Sequence, residues 1–153
     1  LNDFRLQLNK MIEELNEEVS QKFLEKHSIG RLGCILETGE PYVVPVAYIF
    51  EEGDVYVHSL PGQKISALRK NPKVCLQINE ISEDGFEWKS VIAFGEFEEI
   101  KDKDKKTSVL FEFYEKFPQF TPVEAKFDAE TSIKKVIVFR ININRLTGVT
   151  ECY

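Results

Sequence analysis

The chain has 153 residues, 42% of them apolar and 30% charged, which is the balance of one folded domain with a filled core and excludes a disordered segment. Its net charge of -6 opposes general attraction to phosphodiester backbones and anionic bilayers, so neither nucleic acid nor membrane is expected as a partner. No run approaches the roughly 20 apolar residues that cross a bilayer, and the first residues lack a basic segment followed by an apolar one, so a cytoplasmic location is expected.

Phe4, Leu8, Met11, Leu15, Val19 and Phe23 recur at three- and four-residue steps among polar residues, which predicts that residues 1–28 form a helical segment packing on the rest of a single domain, 1–153. Residues 31–37 then read as a strand with Leu32, Cys34 and Leu36 on one side, and Thr38-Gly39-Glu40 as a hairpin turn. Residues 42–50 form a second strand, interrupted at Pro45, which cannot donate a ladder hydrogen bond and so marks a bulge or an edge. After a turn at 51–54, residues 55–58 return with Val55 and Val57 on one face and Tyr56 and His58 on the other. Residues 63–70 carry Ile65 and Leu68 at helical spacing, and Asn71-Pro72 stops that helix.

Strands are expected at 73–79 and 88–100, separated by a loop at 80–87. Residues 101–106 read as a charged turn, followed by a helix with Val109, Leu110, Phe113, Tyr114 and Phe117 on one side and Pro118 and Pro122 near its end. Residues 136–143 alternate as a strand with one buried face, and Gly148 marks the next turn. Strands joined by short turns, with helices at intervals, predict a closed antiparallel barrel rather than a βαβ sheet.

Three cysteines (Cys34, Cys75, Cys152) without CxxC spacing and two histidines (His27, His58) point to neither a disulfide framework nor a metal centre. The stretch Val57-His58-Ser59-Leu60-Pro61-Gly62-Gln63-Lys64 outlines an anion site. It leaves a strand, passes a glycine that permits close backbone approach and delivers a lysine to a helix N-terminus, where free N–H groups carry partial positive charge. Taken alone, the same residues also suit a solvated lysine and a strand-end histidine satisfied by packing. A hydrolase is not indicated, because no Gly-x-Ser-x-Gly elbow or His-Glu-x-x-His is present.

The order of several blocks sharpens this reading. Gly30-Arg31-Leu32, Pro41-Tyr42-Val43-Val44-Pro45-Val46, Val55-Tyr56-Val57-His58-Ser59, Gly62-Gln63-Lys64, Leu68-Arg69-Lys70-Asn71-Pro72-Lys73-Val74 and Trp88-Lys89-Ser90-Val91-Ile92-Ala93-Phe94-Gly95 together resemble the pyridoxamine 5'-phosphate oxidase-like flavoproteins, with the nitroimidazole-resistance (Nim-type) proteins as the nearest branch. The resemblance implies a mainly β (α+β) fold, a six-stranded antiparallel split barrel with flanking helices, and a homodimer with FMN between subunits. It further implies that the backbone of Val44, Pro45 and Val46 lies against the isoalloxazine ring. His58 and Ser59 would border the ring and ribityl chain, and Gly62, Gln63 and Lys64 would hold the phosphate. Trp88 and Ser90 would come from the partner subunit or wall the cleft. Gln63 stands where the oxidase pattern commonly has Arg, which forfeits roughly 1–2 kcal/mol of phosphate binding. Arg140-Ile141-Asn142 and Arg145-Leu146-Thr147-Gly148 replace the Arg-x-His and Arg-Leu-x-Pro that grip the vitamer, so that oxidase activity is not expected.

The expected function is an FMN-dependent oxidoreductase that takes electrons from a soluble donor such as NAD(P)H and reduces a small organic acceptor, a nitroaromatic among the candidates. His58, with an unperturbed pKa near neutrality, is the candidate proton donor. FAD is an alternative to FMN. A non-catalytic flavin or haem carrier is the alternative function, with His58 or His27 as haem ligands.

Overall fold

A computed structural model describes residues 12–118 and 135–152. In chain order the elements are β1 (Ile12–Leu15), α1 (Glu17–Lys26), β2 (Ile29–Ile35), β3 (Pro41–Ala47), β4 (Ile49–Glu51), β5 (Asp54–Ser59), α2 (Gln63–Lys70), β6 (Lys73–Ile81), β7 (Trp88–Glu99), α3 (Lys103–Lys116) and β8 (Ile137–Glu151). Every strand pair is antiparallel, and the strands make one curled sheet in the order β3-β2-β6-β7-β8-β5-β4, with β1 added to the far end of β8. The mainly β, split-barrel expectation is met. The sheet curls without closing, since β3 and β4 form its two ends among the described residues.

Eight strands stand where six were expected, for two physical reasons. The stretch 42–50 divides at Tyr48, whose backbone N–H turns to Ser28 O at 2.8 Å and whose phenol donates to Leu24 O at 2.6 Å. Its buried ring anchors α1 to the sheet, so the ladder with β2 ends at Ala47 and that with β5 begins at Ile49. The second reason is β1. Apolar spacing assigned Leu15 to a helix, yet Ile12–Leu15 pairs with residues 148–151 of β8. Tertiary ladder bonds override the weak local propensity. Asn16 sets the helix boundary: its Oδ1 accepts the Val19 N–H at 2.8 Å, an N-cap. Helix α1 buries Ser20, Phe23 and Leu24 and leaves Val19 exposed. The earlier part of the helical reading, Phe4, Leu8 and Met11, lies outside the described residues, as does Pro122.

Strand β8 also corrects the expectation of a turn at Gly148, since it runs through to Glu151 and pairs with β7 along its length, with a register shift at Phe94/Gly95. Gly148 is needed for close approach instead. A Cβ there would lie 2.4 Å from Ser20 Oγ and 2.9 Å from Leu15 Cβ. Most of the charged stretch 101–106 is the first turn of α3, capped by Asp102, whose Oδ2 accepts the Lys105 N–H at 3.0 Å.

The interior of the curl is filled by Leu32, Val57, Leu76, Ile78, Val91 and Phe139, plugged by Phe23 and Leu24 of α1 and Ile65 and Leu68 of α2. A smaller cluster, Ile49, Tyr56, Val109, Phe113 and Val138, lies beneath α3. The two clusters share β5 through its alternation: Val55 and Val57 face the interior, whereas Tyr56 faces α3.

Candidate functional site

The connection from β5 to α2 brings the first group of candidate residues together. His58, on the Tyr56 face of β5, packs edge-on against Phe113 of α3, with ring centroids 4.4 Å apart and planes at 85°. Its Nδ1 is buried without a hydrogen-bond partner among the described residues. Burial, and secondarily the Lys64 ammonium, lowers its pKa to about 4, so the ring is neutral at neutral pH. A neutral imidazole offers one donor and one acceptor and no spare proton.

Ser59 is buried, and its hydroxyl donates to Leu60 O at 2.7 Å, which leaves the oxygen as an acceptor. Gly62 precedes α2 in extended conformation. Its carbonyl accepts the Ser66 N–H at 3.1 Å, and no side chain caps the helix. The N–H groups of the first turn, at Gln63, Lys64 and Ile65, therefore have neither an intrahelical acceptor nor a capping side chain. The nearest atom to a Cβ built on Gly62 is Leu60 O at 4.0 Å, so backbone here is open to a ligand. Gln63 is exposed and Lys64 part-buried. Burial pushes the Lys64 ammonium below its usual pKa, with the neighbouring Cys34 thiol opposing, and no carboxylate lies within 4.0 Å of it among the described residues. Cys34 itself is held protonated, its pKa raised chiefly by burial and then by Cys75.

Val44, Pro45 and Val46 lie on β3, the end strand of the sheet, hydrogen-bonded to β2 alone. Pro45 is exposed opposite Arg31, in regular register, so it marks an edge and no bulge. Val44 and Val46 turn inward and pack on the core. Among the described residues, the outer backbone edge of β3 is left without a strand partner.

Trp88 and Ser90 are not brought to this group within one chain. Cys34, the neighbour of Lys64, pairs with Val74 at one end of β6, whereas Ser90 pairs with Asn79 and Trp88 with Ile81 at the other. At about 3.4 Å per residue these positions lie roughly 17 and 24 Å farther along the ladder. Trp88 donates its indole N–H to Glu151, and Ser90 Oγ accepts from Gln77 Nε2 at 3.0 Å. His27 is also remote from His58: its Nε2 sits 3.0 Å from Glu80.

Sequence reasoning missed Phe113 as the neighbour of His58. It placed Phe113 on the apolar side of a helix, but no local signal tells where that helix docks. Among the described residues no cluster of three His, Cys, Asp or Glu could hold a metal ion, and no helix is long and apolar enough to cross a membrane.

Comparison with known proteins agrees with this architecture. A family model described as pyridoxamine 5'-phosphate oxidase matches residues 16–150. An uncharacterized protein of Rhizobium meliloti (strain 1021) is 37% identical over 86 residues, 56% of this chain and 56% of that one, so the match spans little more than half of the curated relative. Among solved structures the chain is similar to a FAD-binding protein from Mesorhizobium loti, with TM-score 0.76 and 28% identity over 92% of this chain and 99% of that chain. It is also similar in fold to a protein ascribed to 5-nitroimidazole antibiotic resistance from Bacteroides thetaiotaomicron, with TM-score 0.72 and 20% identity over 91% of this chain and 88% of that one. A FAD- and haem-binding protein from Mycobacterium smegmatis shares the fold with TM-score 0.70 and 15% identity, over 92% and 73% of the two chains. A split-barrel sheet with the blocks of residues 30–95 in order, matched by a family model from residue 16 to residue 150, places this chain in the pyridoxamine 5'-phosphate oxidase family.

Proposed function

We propose that this chain is a flavoprotein that binds FMN by its phosphate and works, as a cytoplasmic homodimer, as an oxidoreductase toward a small organic acceptor such as a nitroaromatic compound. One observation carries the reading. Among the described residues, a part-buried ammonium without a counter-ion, a buried imidazole nitrogen without a partner and an uncapped helix N-terminus converge at the end of β5. Each is a cost in the free protein, and an anion with several acceptor oxygens relieves the cationic and N–H vacancies together.

In this reading Lys64 and the first-turn N–H groups of α2 hold the phosphate, with Gly62 giving access and Gln63 supplying a neutral amide at the rim. Ser59 Oγ accepts from a ribityl hydroxyl. The unpaired outer edge of β3 at Val44, Pro45 and Val46 offers backbone polar groups to the ring. Trp88 and Ser90 complete the cleft from a second copy, since one chain holds them too far from Lys64. A bound flavin supplies the electron-transfer chemistry. His58, neutral in the free protein, serves as a hydrogen-bonding neighbour. It gains a proton to donate only if the approaching anion offsets Lys64 and raises its pKa.

The test is a titration of FMN into flavin-free protein. Lys64→Ala should weaken binding at least about tenfold, the share of one charge-assisted contact, and NADPH should bleach the flavin band of the wild type. Equal affinity in the variant removes Lys64 as the anchor. A bound flavin that no reduced nicotinamide bleaches favours the non-catalytic carrier, and a Soret band in the purified protein favours haem.

A further inference from the structure

The loop that leads into α2 has a second flank. A cavity of about 580 Å3 opens there, lined by Leu60 and Pro61 on the loop, Arg69 on α2, Glu99 at the end of β7, Lys106 on α3 and Lys135 just before β8. Three of these side chains are cationic and one is acidic, in a chain whose net charge is -6. The acid is already engaged: Arg69 donates to both Glu99 oxygens, at 3.0 Å from Nε and 2.7 Å from Nη2. Lys106 is part-buried, and burial pushes its ammonium below the usual range. Neither Lys106 nor Lys135 has a carboxylate within 4.0 Å among the described residues. Two lysines, Lys106 with Glu99 as its attractive neighbour and Lys135, thus face a volume that suits a small organic ligand. The remaining wall is apolar: Leu60 is 43% exposed beside Pro61, a surface on which a flat aromatic base can lie.

We propose that this cavity binds the anionic adenosine-diphosphate portion of a dinucleotide, with its phosphates on Lys106 and Lys135 and its base against Leu60 and Pro61. Pro61 stands three residues before Lys64, so the cavity and the flavin phosphate site flank one helix entry. Two sources share this chemistry, the adenylate tail of FAD and the adenylate half of a nicotinamide donor. The choice of cofactor and donor rests on the flavin reading, whereas the adenylate site itself stands on the cavity.

The experiment titrates ADP, by calorimetry, into flavin-free wild type and into a Lys106→Gln/Lys135→Gln variant whose thermal melt is checked alongside. Wild type should bind ADP with a marked salt dependence, and the variant at least tenfold more weakly. FMN and FAD titrations, with NADPH kinetics on the loaded protein, then separate the sources. A variant that loses FAD affinity but keeps FMN affinity assigns the FAD tail. One that keeps both flavins but shows at least a tenfold higher KM for NADPH assigns the donor. Wild type that ignores ADP, a variant that binds it as tightly, or an ADP loss that transfers to neither FAD nor NADPH overturns the proposal. If wild type binds ADP and not FMN, the flavin reading fails and the adenylate site survives.

Discussion

At the scale of residues, folding moves His58 well out of its ordinary titration range. Its pKa falls from an ordinary 6.5 to about 4, so between these values the unfolded chain binds a proton that the folded chain refuses. Stability is therefore full above about pH 6.5 and declines as pH falls toward about 4, by an amount that approaches roughly 3 kcal/mol. His58→Gln, a neutral side chain of similar reach, should flatten that decline, as read from urea melts across pH 4–7. A wild-type profile already flat in this window would show that His58 titrates normally. Occupation of the Lys64 site by FMN should move the imidazole pKa upward, because the phosphate cancels the charge that helps to hold it down. The sequence placed His58 at a strand end and Lys64 at a helix entry, and both stand there. It did not disclose that Phe113 walls the imidazole, because that contact joins residues 55 apart in the chain and depends on where α3 docks.

Among the elements, α2 was legible from its punctuation: Gly62 opens it and Asn71-Pro72 closes it, and its bounds are Gln63–Lys70. Strand β1 was not legible, since the partner that makes it a strand lies at the other end of β8. The glycines of the long hairpin behave likewise. Gly95 sits at the register shift between β7 and β8, where a Cβ would come within 2.1 Å of Asn142 O and 2.8 Å of its carbonyl carbon. Backbone cannot yield as a flexible side chain can. Gly95→Ala should thus destabilise by about 3 kcal/mol, whereas Gly62→Ala, in open space, should cost only a few tenths, about 0.5 kcal/mol. Chemical denaturation of the two variants reads the contrast directly. Equal midpoints would mean that the irregularity relaxes around an added methyl group.

For the whole molecule, the outer face of the sheet is the surface without a covering helix among the described residues. One row across it runs Val43, Gly33, Cys75 and Phe94, with the Arg145 guanidinium 4.0 Å over the Phe94 ring. Val43 is 67% exposed, with Ile29 and Ile35 nearby on the same face of β2, and the row borders an apolar groove of about 320 Å3. The homodimer we propose would cover this face and bring Trp88 and Ser90 of one copy toward Lys64 of the other. Val43→Glu should then halve the mass seen by light scattering and weaken flavin binding with it. An unaltered mass would move the interface elsewhere or remove it. The ordered blocks that carried the resemblance lie on β2, β3, β5, α2, β6 and β7, which explains why the barrel was readable although its seam, its added strand and its helix placements were not.

The continuous run of β8 has a temporal consequence. Residues 137–141 serve β5 and residues 148–151 serve β1, while β7 is engaged from end to end. Strand β8 thus unites partners far apart in sequence, including Ile12 with Glu151. During synthesis, nothing made earlier can complete the sheet in its absence. Assembly of this sheet must wait for β8 to emerge, and its folding is governed by distant closure rather than by local nucleation.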